Sequence, residues 1–144
     1  MDKYQLFHQL HHQHEGFVLA NAWDLSSAQF IQAAGAKAVA TTSWGIAASL
    51  GLADGENISF QTQLALIKSL TEHLHIPLSV DIESGYSNDP LQISENVLAL
   101  ARLGVVGINI EDSDKDTNAL RSTEQQCTII SEIKKVLNEN GFGG

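Results

Sequence analysis

The stretch Ser79-Val80-Asp81-Ile82-Glu83-Ser84-Gly85-Tyr86 decides the fold, because it is a short strand-forming run that ends in two carboxylates. Side chains two residues apart in a strand point the same way, so Asp81 and Glu83 share one side. A second such run, Gly107 to Ser113, carries Glu111 at its end. Neighbouring anions are unfavourable without a cation between them, and oxygen ligands suit a hard divalent ion. The pattern predicts a Mg2+ site formed by Asp81, Glu83 and Glu111; alternatively, these acids are strand-end turn formers or helix caps.

The composition is that of an ordinary globular protein, and we expect residues 1–144 to form a single domain. The formal charge of −9 argues against a nucleic-acid or anionic-membrane surface, since either would need a basic patch. The N-terminus lacks the layout of a signal peptide, and no apolar run approaches the length of a membrane span. The single cysteine, Cys127, excludes an intramolecular disulfide and is expected to pack on a helix. These features predict a cytoplasmic protein without nucleic-acid or membrane partners.

Strand-length apolar runs alternate with helical patterns along the chain. The predicted strands begin near residues 17, 38, 77 and 105, and the predicted helix caps are Asp24, Ser59, Asp89 and Thr123. Short joints between strand, helix and strand are typical of right-handed parallel βα units. A (β/α)8 barrel takes about 250 residues, so the sequence predicts an α/β fold with four of the eight units of a TIM barrel, a half-barrel preceded by an N-terminal helix. The last strand, apolar on nearly every residue, is expected to be covered on both faces.

The N-terminal helix is rich in histidine. His8 and His12 have the i, i+4 spacing that could bind a transition metal. No carboxylate or cysteine joins them, so the favoured interpretation is a solvated helix face.

A long connection over residues 42–57 follows the second predicted strand. Loops at the carboxyl ends of parallel strands bind ligands, and Thr42, Ser43 and the amides around Gly45 could hold a carboxylate or phosphate. Asp54 and Gly55 could belong to a mobile flap. The alternative is a small helix over residues 46–50 packed across the barrel mouth, and both can be true.

Four ordered motifs together resemble the isocitrate lyase/phosphoenolpyruvate mutase superfamily, in its phosphoenolpyruvate mutase-like branch. They lie at residues 19–24, 40–51, 80–86 and 107–112, and the resemblance extends from about residue 15 to the end. It implies a (β/α)8 barrel that holds Mg2+, or alternatively Mn2+, and a small 2-oxo or 2-hydroxy acid. The Lys-Lys-Cys-Gly-His motif of isocitrate lyases is absent, and residues 113–117 read Ser-Asp-Lys-Asp-Thr instead. This argues against isocitrate and methylisocitrate cleavage.

The resemblance also implies a role for individual residues. Asp81 and Glu83 become metal carboxylates, and Glu111 a further ligand, directly or through water. The residues placed in the loop that binds the substrate carboxylate are Thr42, Ser43 and Trp44. Two residues fall at catalytic positions, Asp54 beside the metal on a mobile loop and Asn118 in the gating loop after the fourth strand.

Two functions are expected from different classes. The first is a Mg2+-dependent lyase or mutase that makes or breaks a C–C or P–C bond of a small carboxylic acid through a metal-stabilised enolate. The second is a catalytically inert, truncated half-barrel that acts only in assembly or binding. Four parallel strands leave two open edges and an uncovered apolar interior, which favours a homo-oligomer or a complementing half-barrel.

Overall fold

Helices and strands alternate as the sequence predicts. The computed structural model describes residues 1–55, 57–114, 116–117 and 119–142. The elements are α1 (Lys3–His12), β1 (Ala20–Ala22), α2 (Leu25–Ala33), β2 (Val39–Thr41), α3 (Ser43–Ser49), α4 (Phe60–His73), β3 (Leu78–Asp81), α5 (Pro90–Arg102), β4 (Gly107–Asn109), β5 (Ser113–Asp114), β6 (Ala119–Leu120) and α6 (Thr123–Glu139).

One parallel sheet contains the first four strands in the order β1-β2-β3-β4. Each strand pairs with the next along the chain, and Val39 lies opposite both Ala20 on one side and Leu78 on the other. Ser79 lies opposite Gly107 in the last pair. Consecutive parallel strands joined by helices are the βα units that the sequence predicts. The carboxyl ends of all four strands therefore meet at one edge of the sheet.

Helix starts follow the predicted caps with one exception. Asp24, Ser59 and Asp89 each accept a hydrogen bond from a backbone N–H in the first turn of α2, α4 and α5. The prediction of Thr123 as the cap of α6 was wrong by one residue, because Ser122 forms the capping box with Gln125. The sequence offers two capping-box motifs, Ser122 with Gln125 and Thr123 with Gln126. Gln126 does not take part in a capping box and donates to the Glu111 carbonyl at 3.2 Å.

The hydrophobic core lies between one face of the sheet and the helices that follow the strands. Val80 and Leu78 of β3 are almost fully buried there, against Ile67 and Leu70 of α4 and Leu100 of α5. Burial of apolar surface contributes roughly 25 cal/mol per Å2. This face therefore holds the sheet and the helices together.

The opposite face of the sheet is only partly covered. Helix α1 lies against it, since a Cβ added to Gly107 would come 2.5 Å from Phe7 Cε1. Next to α1 is a cavity of about 370 Å3. Its lining is mixed, which corrects the expected apolar interior; it comprises Phe7, His11, Leu19, Asn21, Ala40, Thr41, Ser79, Asp81, Ile108 and Asn109.

Strand β4 also differs from the prediction. Gly107 and Ile108 are half-buried and Asn109 is exposed, so β4 is not covered on both faces. β4 is the last strand of the described sheet, and its residues are at most partly buried.

A short antiparallel hairpin, β5–β6, lies between β4 and α6, where the resemblance implies a gating loop. Ser113 pairs with Leu120, and Asp114 pairs with Ala119. Oδ1 of Asp114 accepts hydrogen bonds from the backbone N–H groups of Asp116 at 2.9 Å and Thr117 at 3.3 Å. The bond from Asp116 is the largest cause that lowers the pKa of Asp114 from 3.8. Asn118, predicted to be catalytic, lies outside the described residues.

The turn after β3 depends on Gly85. Its φ is +103°, and its carbonyl accepts a hydrogen bond from Asn96 Nδ2 at 3.0 Å. A Cβ built on Gly85 would lie 2.7 Å from Ile93 Cγ2. Both the backbone conformation and the available space therefore favour glycine.

We predict that Gly85→Ala lowers the free energy of unfolding by about 3 kcal/mol, through left-handed strain of about 1–2 kcal/mol and overpacking of about 1–3 kcal/mol. Gly35→Ala is the matched control, because Gly35 has φ +90° but nothing within 4 Å of its Cβ position. It should lose only the backbone contribution, about 1–2 kcal/mol. Urea unfolding of both variants measures the difference, and equal losses would contradict the packing argument.

We also predict that the amide proton of Asp116 reports the titration of Asp114. Because the pKa of Asp114 is lowered in the folded protein, its ionised form stabilises the hairpin. That contribution is present above pH 3.8 and is lost as the pH falls through the folded pKa. The NMR shift of the Asp116 amide should therefore titrate with a midpoint below 3.8. Asp114→Asn keeps the acceptor oxygen and should remove this titration; a midpoint at or above the ordinary value would refute the assignment.

Candidate metal and substrate site

The carboxylate of Asp81, the last residue of β3, is fixed by three neutral donors. Ser43 donates to Oδ2 from its backbone N–H at 3.1 Å and from its hydroxyl at 2.8 Å. The backbone N–H of Glu83 donates to Oδ1 at 3.1 Å. Hydrogen bonds to an ionised acceptor are stronger than those between neutral groups, so this carboxylate has a defined orientation at the cavity wall.

The backbone of Asp81 is held as firmly as its side chain. Its N–H donates to Thr41 Oγ1 at 3.0 Å, and its carbonyl accepts from Gln63 Nε2 at 2.7 Å. Thr41 is 2% exposed and Gln63 is fully buried. Side chains from β2 and α4 thus fix the end of β3.

The two other predicted metal carboxylates lie on neighbouring chain segments. The Ile82 N–H donates to the Asn109 carbonyl at 3.0 Å, and the Glu111 N–H donates to the Glu83 carbonyl at 2.6 Å. The parallel pairing therefore continues past β3 and β4 and sets Glu83 beside Glu111. Glu83 is buried at φ +50°, whereas Glu111 is exposed and accepts from Ser113 Oγ at 2.7 Å.

Of these three acids, Asp81 alone lines the cavity. Within the part of the chain that the structure describes, no three His, Cys, Asp or Glu side chains converge closely enough to hold a metal ion together. Mg2+ does not require such a cluster, because it keeps several waters and binds through one or two carboxylates. Among the described residues, Oδ1 of Asp81 accepts a hydrogen bond from the Glu83 N–H and retains capacity for a cation. The donor set thus fits Mg2+ better than zinc, which takes nitrogen or sulfur ligands.

The predicted substrate-binding residues surround the start of α3. Thr42 caps this helix, its Oγ1 accepting from the Gly45 N–H at 3.3 Å. The donors of Ser43, expected to face a substrate carboxylate, instead bind Asp81. Trp44 is 67% exposed. Asp54 is also exposed, outside the cavity lining, with its carbonyl accepting from Asn57 Nδ2 at 2.8 Å.

Three residues that the sequence did not single out shape this edge of the sheet: Thr41, Gln63 and Arg121. Arg121 is 9% exposed and donates to the Ser84 carbonyl, the Ser87 carbonyl and Asn88 Oδ1. An arginine directly before the Ser122 cap in an acidic chain was a weak indication of a structural role. The identity of its acceptors could come only from the tertiary structure.

Comparisons with known proteins identify the family of the chain. The family model for phosphoenolpyruvate phosphomutase matches residues 7–143. The uncharacterized protein Rv1998c of Mycobacterium tuberculosis (strain H37Rv) is 46% identical over 110 residues, which are 76% of this chain and 41% of that protein.

None of the helices in the described residues has the length and apolar character needed to cross a membrane.

Solved structures show the same fold over nearly the whole chain. A candidate phosphonomutase from Burkholderia cenocepacia J2315 superimposes with a TM-score of 0.91 at 32% identity, covering 96% of this chain and 56% of that one. A phosphonopyruvate hydrolase, in complex with oxalate and Mg2+, superimposes with a TM-score of 0.88 at 22% identity, covering 94% and 48%. The chain spans about half of these relatives or less, and the predicted barrel-type βα units are confirmed. The chain belongs to the phosphoenolpyruvate phosphomutase family, within the superfamily that its motifs resemble.

Proposed function

We propose that the protein supplies the metal-binding half of a Mg2+-dependent enzyme. Its substrate is a small 2-oxo or 2-hydroxy carboxylic acid, and its reaction is of the lyase or mutase type, at a C–C or P–C bond next to a carbonyl. The observation that carries this proposal is the carboxylate of Asp81, which lies at the carboxyl end of β3, lines the cavity beside α1 and is oriented by neutral donors. Ligands bind at this edge in barrel folds.

Asp81 is the residue that binds the ion, and Mn2+ is an alternative to Mg2+. Glu83 would be a further carboxylate ligand, and Glu111, whose N–H donates to the Glu83 carbonyl, would contribute directly or through water. When bound, Mg2+ acts as a Lewis acid that stabilises negative charge developing on the substrate. The hydrolase solved with both oxalate and Mg2+ supports the pairing of this ion with a small dicarboxylate in this fold.

The segment Thr42–Trp44 is proposed to bind the substrate carboxylate. It flanks Asp81, since two donors of Ser43 reach the Asp81 carboxylate, so an acid next to the ion would also contact this segment. The exposed ring of Trp44 and the connection that carries Asp54 are proposed to close over the acid and to exclude water. Asn118 falls at the gating-loop position that the family resemblance implies, and it is proposed to be catalytic on that ground.

The second candidate is a half-barrel that functions in assembly. One observation in its favour is the cavity on the partly covered face of the sheet. Another is that β1 and β4 each pair with only one strand in the described sheet, which leaves one edge of each open. Either a second copy or a complementing half-barrel would cover this face. Light scattering separates the candidates in part, since a clean monomer without exposed apolar surface would contradict the paired half-barrel.

We predict that Asp81→Asn weakens Mn2+ binding by more than about 100-fold, because loss of a direct ligand should exceed the 10–100-fold effect of outer partners. Asp89→Asn is the control, since it removes the same charge and asparagine still caps α5. Electron paramagnetic resonance of free Mn2+ measures both affinities. Unchanged Mn2+ affinity in Asp81→Asn would refute the metal assignment.

Turnover is tested separately from binding. The protein is incubated with Mg2+ and either oxaloacetate or phosphonopyruvate. The amount of pyruvate formed by the wild-type chain is compared with the amount formed in the presence of the Asp81→Asn variant. Pyruvate formed only by the wild-type chain supports the enzyme. Tight Mn2+ binding without turnover would favour the assembly function.

A further inference from the structure

The loop over residues 83–88 has an unusual backbone. Glu83 has φ +50° and Tyr86 has φ +62°, although neither is glycine, and Gly85 between them has φ +103°. L residues rarely adopt these conformations, and they persist only where surrounding contacts hold them. The loop joins the tip of β3 to α5, directly after Asp81.

Arg121 provides such contacts from a different part of the chain. Its NH1 group donates to the Ser84 carbonyl at 3.0 Å, and its NH2 group donates to the Ser87 carbonyl at 3.0 Å and to Asn88 Oδ1 at 3.1 Å. Its own backbone N–H donates to the Asp112 carbonyl at 2.7 Å. The planar guanidinium has donors in a fixed fork, so three acceptors on one loop are held in one relative geometry.

The environment of Arg121 makes these bonds consequential. It is the only buried side chain among the lysines and arginines that the structure describes. A buried cation is costly unless its donors are satisfied, so the loop and the arginine stabilise each other's position. A second link joins the same segments, since Asn88 Nδ2 donates to Asp116 Oδ2 at 2.6 Å.

We propose that Arg121 is a positioning residue that fixes the 83–88 loop and, through it, the place of Glu83 beside Asp81. The inference rests on the proposed metal role of Asp81. Glu83 begins the loop, its N–H donates to Asp81 Oδ1, and its carbonyl accepts from the Glu111 N–H. A shift of the loop therefore reaches all three acids at the strand tips.

The experiment compares Arg121→Ala with Arg102→Ala in the full chain. Arg102 is exposed and donates to Asn140 Oδ1 at the far end of α5, which makes it a matched control. Hydrogen exchange of the amides of residues 83–88 reports the loop, and the Mn2+ dissociation constant reports the site. Arg121→Ala should exchange at least about 10-fold faster in the loop and bind Mn2+ about 10-fold more weakly, as outer partners of metal sites do. Arg102→Ala should change neither.

Arg121→Lys separates charge from geometry. A single ammonium group cannot bridge the three acceptors, so this variant should resemble Arg121→Ala rather than the wild type. Should Arg121→Ala fail to fold by circular dichroism, Arg121→Lys serves for both comparisons.

Each outcome distinguishes the inference from the proposed function. Unchanged loop exchange in the Arg121 variants overturns the inference. Faster exchange with unchanged Mn2+ affinity overturns the link between the loop and the site. A wild-type chain that does not bind Mn2+ overturns the proposed function and the metal link with it, and loop exchange then decides whether Arg121 fixes the loop.

Discussion

A carboxylate that is to bind a cation at the end of a parallel strand has to be oriented without being neutralised, and every donor to the Asp81 carboxylate among the described residues is neutral. Ser43 at the start of α3 and the N–H of Glu83 hold the two oxygens, while Thr41 and Gln63 hold the backbone. These partners come from β2, from both helices that follow it, and from the loop after β3. The contacts that fix the site are therefore also contacts that join neighbouring βα units.

The register of the sheet therefore determines the geometry of the candidate site. The pairing of Val39 with Leu78 and of Ala40 with Ser79 brings the end of β2 beside the end of β3. Slippage by one residue would turn the side chain of Val80 toward the cavity and that of Asp81 toward the core. The apolar face prevents this, because Val80 and Leu78 are buried against the helices. Core packing on one face thus determines which side chain lines the cavity on the other.

The sequence was most informative where the determinants are local. The strand-forming run that ends in carboxylates located Asp81 at a strand end, and the short polar caps at Asp24, Ser59 and Asp89 located three helix starts. Two overlapping cap motifs precede α6, one beginning at Ser122 and one at Thr123. Ser122 caps the helix, and Gln126, which the other motif would have used, donates to the Glu111 carbonyl instead. The apolar composition of the fourth predicted strand led us to expect that both of its faces would be covered, whereas β4 is at most partly buried.

Contacts between distant residues were beyond such reasoning. Ser43 and Asp81 are 38 positions apart, and Arg121 and Ser84 are 37 apart, so no periodicity or spacing connects them. The hydroxyl of Ser43 could equally have faced a ligand, as the resemblance implied. The fold brings it to Asp81 because the strand-to-helix turn after β2 ends next to the tip of β3. Polar residues in loops acquire their roles from the scaffold that presents them.

The charges at the strand tips bear on how an anionic substrate would bind under the proposed function. Asp81 lines the cavity, Glu83 and Glu111 lie side by side on the segments that follow β3 and β4, and no lysine or arginine among the described residues lines the cavity. Two carboxylates brought to within about 4 Å repel each other, most strongly where water is excluded. The nearest donors, those of Ser43, already bind Asp81. Under the proposed function, a substrate acid would therefore bind well only after a divalent cation had offset the local negative charge, so that metal binding would precede substrate binding.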